Sequence, residues 1–121
     1  YGQEPNIIQC SSDESEAIKY FSNTFLAYKV AYFNKMYDMC KAIGLDYDSV
    51  REGVTADSRI GQSHTVVPGI DNDRGFGGTC FPKDLNSLIV QMESNGVNPE
   101  ILRKVWEYNQ EIRSVVDWIV T

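Results

Sequence analysis

The sequence predicts a mainly α-helical domain organised around one long helix. About 30 residues between Ser12 and Gly44 contain neither proline nor glycine, which corresponds to about 45 Å of helix. Two later segments, after Pro82 and after Pro99, repeat apolar residues every three or four positions. With 121 residues, 42% of them hydrophobic and 23% charged, the chain has the size and composition to bury one core. We therefore expect residues 1–121 to form a single helical domain.

A short apolar run at residues 7–10 is typical of an extended segment, and the long helix follows it. N-cap residues and first-turn acids mark the start of this helix, and a glycine marks its end. These signals are Ser11, Ser12, Asp13, Glu14, Glu16 and Gly44.

The long helix carries two apolar rows. The first apolar row consists of Ile18, Phe21, Phe25, Tyr28, Tyr32, Met36, Met39 and Ile43. The second apolar row consists of Leu26, Val30, Phe33, Tyr37 and Cys40. Periodicity leaves two interpretations open: a wide stripe that faces the core, or a surface that partly meets another chain.

Three further helices are predicted. Asp46 caps a short helix. Residues 57–79 then form a long glycine-rich loop, and loops of this length usually carry function. Pro82 occupies the first position of the next helix. Asn98 and Pro99 open the last helix. The apolar faces of the last two helices are Leu85, Leu88, Ile89 and Met92, and then Ile101, Val105, Tyr108, Ile112, Val115 and Ile119.

Charge and cysteine content exclude several classes of function. The 17 acidic and 11 basic residues give a net charge of −6, which argues against nucleic acid and anionic membranes as partners. No apolar run is long enough to span a bilayer, and no leader peptide is evident. Cys10, Cys40, Cys80 and the single His64 do not form a zinc-ligand set. We expect a soluble protein of the reducing cytoplasm, with no metal.

The most informative segment is residues 75–84, GFGGTCFPKD. It places Cys80 where a glycine-rich loop meets a helix N-terminus, a position that favours the thiolate, and Lys83 adds positive charge. The glycines allow a ligand to approach the backbone. Asp84 lies in the first turn of the helix, where it is free to accept a proton. Each residue alone has a structural explanation, but together they indicate a nucleophilic site.

A second group consists of Lys19 and Asn23, four residues apart and therefore on one face of the long helix. An ammonium and an amide side by side suit a developing oxyanion or a bound water. On its own, the same spacing occurs on many solvated helix faces.

These motifs resemble the UDP-glucose/GDP-mannose dehydrogenase family, whose members oxidise the C6 alcohol of a nucleotide sugar to the carboxylate with two NAD. The resemblance is carried by GFGGTCFPKD, by DSRIG at residues 57–61, and by SEAIKYFSN at residues 15–23 continuing into AYFN at 31–34. It extends from Cys10 into residues 106–113. It implies a helical middle domain like that of 6-phosphogluconate dehydrogenase.

The resemblance also implies roles for individual residues. Cys80 is expected to be the nucleophile that forms a thiohemiacetal and then a thioester. Lys19 and Asn23 would hold the oxyanion and water, and Asp84 would assist hydrolysis. Lys83 would contact NAD. The nucleotide sugar would be contacted by Gly77, by His64 and by Arg59 of a neighbouring subunit. Compared with many relatives, the chain has extra residues around 66–73, and these change the segment 64–70 from which contacts to the sugar ring would come. His64 is equally well explained as a loop residue that forms hydrogen bonds.

The family's organisation implies an NAD-binding Rossmann domain before this segment and a nucleotide-binding domain after it. The chain starts at Tyr1 and lacks a G-x-G-x-x-G turn, so we expect a piece of a longer protein, homodimeric through helix 14–43 and inactive alone. UDP-glucose is the favoured substrate; GDP-mannose or a UDP-N-acetylhexosamine is the alternative. A different class, a stand-alone dimerisation or scaffold module without catalysis, also stays open.

Overall fold

The computed structural model describes residues 13–114 and contains four α-helices. Helix α1 spans Asp13–Ile43, α2 spans Tyr47–Thr55, α3 spans Cys80–Ser94 and α4 spans Glu100–Ile112. No strand occurs among these residues, so the predicted helical fold class is confirmed. The expected extended segment at residues 7–10, including Cys10, lies outside the described residues. Among the described helices, none combines the length and apolarity needed to span a bilayer.

Local sequence signals explain most helix boundaries. Helix α1 ends before Gly44, which adopts a positive φ of 78°, as a C-terminal glycine should. Asp46 caps α2, and its carboxylate accepts a hydrogen bond from the Ser49 N–H at 3.2 Å. Helix α3 begins two residues earlier than predicted, so Pro82 is its third residue instead of its first. Proline is accepted there because backbone N–H groups of the first turn have no intrahelical partner.

Two apolar clusters lie along α1. The first joins α1, α3, α4 and the loop, and the second joins the C-terminal half of α1 to α2 and the loop. Their buried residues are Ala27, Ala31, Phe76, Leu85, Ile89, Leu102 and Val105 in the first cluster, and Phe33, Cys40, Tyr47 and Val67 in the second. Helix α1 therefore contributes buried residues to both clusters.

The first apolar row of α1 does not face the core. Ile18 and Phe25 are 66% and 63% exposed, and most other members of the row are exposed as well. The buried face near α3 instead uses Ala27 and Ala31, because small side chains let two helices approach closely. The interpretation of both rows as one core stripe is therefore wrong for this chain by itself.

Helix α4 also differs from the prediction. Its buried residues are Leu102, Val105 and Asn109, whereas Ile101 is exposed. The helix ends at Ile112, and Arg113 is extended, so the predicted helical register does not continue unbroken to Val115 and Ile119. Residues 115–121 lie outside the described residues. Helix α3 follows the prediction, with Leu85 and Ile89 buried and Leu88 and Met92 packed against the first cluster.

The segment between α2 and α3 contains neither helix nor strand, as predicted, but it is firmly attached to the helices. Thr65, Val67 and Phe76 are buried. The Tyr47 hydroxyl donates to the Thr65 carbonyl, and burial raises the pKa of Tyr47 to about 12. Side chains spaced along the loop therefore anchor it in both clusters, Val67 in the second and Phe76 in the first.

Gly75 gives a direct test of this attachment. Its φ is 72°, and a Cβ there would lie 2.2 Å from Asn109 Oδ1. Gly75→Ala should cost about 1–2 kcal/mol for the left-handed backbone and about 1–3 kcal/mol more for displacing a buried, hydrogen-bonded amide. Gly96→Ala is the matched control, because Gly96 has a φ of 75° and nothing within 4 Å. Urea unfolding should show the larger loss for Gly75→Ala; equal losses would contradict the tight contact with Asn109.

Candidate functional site

Cys80 is the first residue of α3, and its side chain is exposed. The loop before it contains Gly75 and Gly78, both with positive φ, so the chain turns sharply into the helix. The predicted position of the thiol, where a glycine-rich loop meets a helix N-terminus, is confirmed by the structure. A thiol in this position is accessible to a ligand and close to unpaired backbone N–H groups.

Asp84 lies one helical turn after Cys80 and points into the interface between α3 and α1. It is completely buried, and its Oδ2 accepts a hydrogen bond from Asn23 Nδ2 at 2.7 Å. Such a bond compensates the loss of water that burial of a carboxylate causes. Two predicted site residues, 61 positions apart in sequence, thus meet directly.

The two oxygens of Asp84 have different partners. Lys83 Nζ lies 3.5 Å from Asp84 Oδ1 as an ion pair, but among the described residues Oδ1 accepts no hydrogen bond although it is buried. The Lys83 side chain is itself largely exposed. Asp84 therefore combines one fixed oxygen with one that has unused acceptor capacity, and unused buried acceptors are uncommon in folded proteins.

Lys19 lies one turn before Asn23 on α1 and is exposed. Its Nζ is 5.9 Å from the ring centroid of Tyr20, and within residues 13–114 no carboxylate forms an ion pair with it. The structure therefore joins Asn23, Lys83 and Asp84 by direct contacts and leaves Lys19 outside that set. Its position on the Asn23 face of α1 follows from the helical spacing.

His64 lies next to the start of α3. Its ring centroid is 5.8 Å from that of Phe81, the residue after Cys80, with the two rings tilted by 35°. The residue is exposed and has a φ of 63°. Gly77 is partly exposed in the same glycine loop. The structure thus brings His64 near the thiol-bearing turn, a proximity that its sequence separation does not reveal.

Arg59 lies in a different place, beside the exposed aromatic face of α1. Its guanidinium binds Asp57 through Nε to Oδ1 at 3.0 Å and Nη2 to Oδ2 at 2.6 Å, and this contact lowers the pKa of Asp57. The Arg59 side chain is 87% exposed. Lys29 Nζ holds the same turn by donating to the Ile60 carbonyl at 2.7 Å.

Between this turn and α1 lies a groove of about 380 Å³. It is lined mainly by aromatic and basic side chains: Phe25, Tyr28, Lys29, Tyr32, Phe33, Arg59 and Ile60. Cys80 and Asp84 are not among the residues that line this groove. Arg59 therefore lines a surface different from the turn that bears Cys80.

A network that the sequence analysis missed holds the glycine loop. Arg74 binds the Asn34 side chain through Nε at 3.1 Å and Asp38 through Nη2 at 2.9 Å. Asn109, on α4, donates to the Phe76 carbonyl and accepts from the Phe76 N–H, at 2.9 and 2.7 Å. The available signal was an asparagine at a buried position of a helical apolar pattern, because a polar residue there usually has a specific partner.

The same network includes Tyr108. Its hydroxyl donates to Asp38 and accepts from Arg74, and Lys35 Nζ lies 4.0 Å from its ring centroid. Burial, together with the Asp38 hydrogen bond, raises the pKa of Tyr108 well above its ordinary value. The start of the glycine loop is therefore attached to both α1 and α4.

The described residues do not form a dinucleotide site by themselves. Such sites need a strand that turns into a helix through closely spaced glycines, and residues 13–114 contain no strand. Nor do they contain a group of three or more His, Cys, Asp or Glu side chains arranged to hold a metal ion.

Comparison with known proteins agrees with this combination of a helical domain and a thiol-bearing glycine loop. Residues 13–111 match the UDP-glucose/GDP-mannose dehydrogenase family, central domain. The chain belongs to this family, as the resemblance predicted.

Relatives of the chain include UDP-glucose 6-dehydrogenases of Rickettsia felis, 42% identical over 88% of the chain and 23% of that protein, and of Bacillus subtilis (TuaD), 37% identical over 95% of the chain and 24% of that protein. A solved UDP-glucose dehydrogenase structure from Pyrobaculum islandicum is 37% identical, with a TM-score of 0.72 over 82% of the chain and 22% of that structure. The chain thus spans about a quarter of the length of these relatives.

The exposure of the cysteines predicts their reactivity. Cys80 is exposed and Cys40 is buried, so a short pulse of iodoacetamide at neutral pH should alkylate Cys80 ~10-fold or more faster than Cys40. Peptide mapping by mass spectrometry separates these sites and Cys10. Denatured protein, in which the cysteines should react at similar rates, is the control. Faster labelling of Cys40 than of Cys80 would contradict the assignment of Cys80 as the accessible thiol.

Proposed function

We propose that this chain is the catalytic and dimer-forming central domain of an enzyme that oxidises the C6 alcohol of a nucleotide sugar, UDP-glucose in the first instance, to the carboxylate. The observation that carries the proposal is the arrangement at the start of α3: an exposed thiol, and one turn later a buried carboxylate held by Asn23. NAD, bound mainly by residues outside those described, would accept the two hydrides.

In the proposed reaction, Cys80 captures the aldehyde produced by the first oxidation. Its sulfur adds to the carbonyl carbon to give a thiohemiacetal, and loss of hydride from that carbon gives a thioester. Water then adds to the thioester, the C–S bond breaks, and the carboxylate and the free thiol are released. Covalent capture divides a difficult oxidation into separate steps and retains the reactive aldehyde.

The contacts of Asn23 and Asp84 suit the later steps. An amide nitrogen carries two protons, and the bond to Asp84 uses one of them, so the other can donate to an oxyanion or to water. The unused acceptor Oδ1 of Asp84 can take a proton from the attacking water. Lys19, unpaired with any described carboxylate, adds positive charge on the same helix face.

Substrate contacts are proposed from two places. His64 and Gly77 lie in the loop around the start of α3. Lys83, in the first turn of α3 with a largely exposed side chain, would contact NAD instead of the substrate. Arg59, which lines the groove beside α1, would act across a dimer at the site of the neighbouring subunit. GDP-mannose or a UDP-N-acetylhexosamine is the alternative substrate, and turnover of a panel of nucleotide sugars by the complete protein distinguishes these from UDP-glucose.

The roles of Cys80 and Asp84 can be separated by kinetics in the complete protein that contains this chain. Cys80→Ala should abolish formation of the sugar acid, because no thioester can form. Asp84→Asn should slow thioester hydrolysis by ~10²-fold or more and leave the first hydride transfer much less affected. Single-turnover measurements of NADH and of sugar acid distinguish the steps. Undiminished sugar-acid formation by Cys80→Ala would overturn the proposed function.

The exposed first apolar row supports association through α1. Exposed apolar surface of this extent on one helix is typical of an interface. Phe25→Glu should convert a dimer of the 121-residue chain to a monomer in sedimentation equilibrium, because it would bury a charge. Val90→Glu is the control, since Val90 is 53% exposed but lies on α3. A wild-type monomer would contradict the proposed dimer.

The same sample should not reduce NAD when UDP-glucose is added, because its described residues lack a dinucleotide site. NADH absorbance checks this. If the complete protein were also inactive but the chain dimerised, the non-catalytic dimerisation module would be the better interpretation.

A further inference from the structure

We propose that Asn109 is a positioning residue for Cys80: it fixes the glycine loop so that the thiol stands at the start of α3 in the reactive arrangement. The inference rests on the proposed function of Cys80 as nucleophile. It concerns a residue 29 positions away in the sequence, on a helix that carries none of the site residues predicted from the sequence.

The carboxamide of Asn109 forms hydrogen bonds to the loop backbone of the kind that a neighbouring strand forms in a sheet. Asn109 is 1% exposed, and its side chain both donates to the Phe76 carbonyl and accepts from the Phe76 N–H. Buried backbone groups need such partners. Because one planar amide satisfies both groups of the same residue, it fixes the position and the orientation of the peptide units on either side of Phe76.

The fixed segment is short and leads directly to the thiol. Only Gly77, Gly78 and Thr79 separate Phe76 from Cys80. The Phe76 ring is buried and packs edge-on against Phe81, with ring centroids 6.1 Å apart. Cys80 therefore lies between Phe76, which Asn109 holds, and Phe81, which the Phe76 ring contacts.

The glycine before Phe76 fits this arrangement. A Cβ at Gly75 would lie 2.2 Å from the Asn109 oxygen, so the amide can approach the loop only because that position carries no side chain. On the other side of the site, the Asn23 bond to Asp84 attaches the same turn of α3 to α1. The start of α3 is thus held from two directions, by Asn109 through the loop and by Asn23 through the helix.

The inference predicts an effect on turnover with little effect on substrate binding. In the complete protein, Asn109→Leu, which has a similar volume and no hydrogen-bonding groups, should lower kcat about 10- to 100-fold, the range associated with misplaced reacting groups. The KM for UDP-glucose should change less than ~3-fold. Asn109→Asp keeps the acceptor for the Phe76 N–H, and its kcat should lie between those of Asn109→Leu and the wild type.

Val105→Ala is the matched control for a loss of stability. Val105 lies one turn earlier on α4 and is buried in the first cluster together with Phe76, but its side chain cannot form a hydrogen bond to the loop. It should lower the urea midpoint of unfolding and keep kcat within ~2-fold. In the 121-residue chain, hydrogen exchange should show the Phe76 amide protected in Val105→Ala and deprotected in Asn109→Leu.

The outcomes separate this inference from the proposed function. If Cys80→Ala loses activity while Asn109→Leu and Asn109→Asp both keep wild-type kcat, the positioning role is wrong and the function of Cys80 stands. Equal losses of kcat in Asn109→Leu and Val105→Ala would also overturn it, because the effect would then be general destabilisation. If Asn109→Leu does not fold, the intermediate kcat expected for Asn109→Asp decides.

Discussion

The Asp84 carboxylate is buried between α1 and α3, and its burial determines how closely these two helices pack. A carboxylate can be removed from water only where a hydrogen-bond donor meets it, and Asn23 provides that donor at 2.7 Å. This distance requires close packing of the two helices, which Ala27 and Ala31 permit on α1. Because Asp84 lies one turn after Cys80, the same packing fixes where the thiol stands.

The loop between α2 and α3 solves a second problem. A long irregular segment that enters the core must satisfy its backbone polar groups without the help of a sheet. Here carboxamide and guanidinium side chains do so: Asn109 pairs with Phe76, Arg113 Nη1 donates to the Arg74 carbonyl at 3.2 Å, and Asn34 Oδ1 accepts from the Gly75 N–H at 3.3 Å. Glycine is needed where these side chains come closest, as at Gly75.

Much of this architecture could be predicted from local signals. Capping residues and glycines located α1 and α2, and the motif around Cys80 placed the thiol at a helix start, because these features depend on neighbours in sequence. Periodicity did not reveal which face of α1 meets α3, since it groups residues on a face without saying what covers that face. The partners of Phe76 and Asp84 lie 33 and 61 positions away, so only the folded chain shows that Asn109 pairs with Phe76 and Asn23 with Asp84.

Under the proposed function, Cys80 carries the sugar as a thioester that Asp84 helps to release. Intact-protein and peptide mass spectrometry of the complete Asp84→Asn protein, after incubation with UDP-glucose and NAD, checks this claim. We expect an acyl adduct on the peptide that contains Cys80, removed by hydroxylamine and missing when NAD is withheld. Sugar acid produced by that protein with Cys80 unmodified at every time point would contradict the claim.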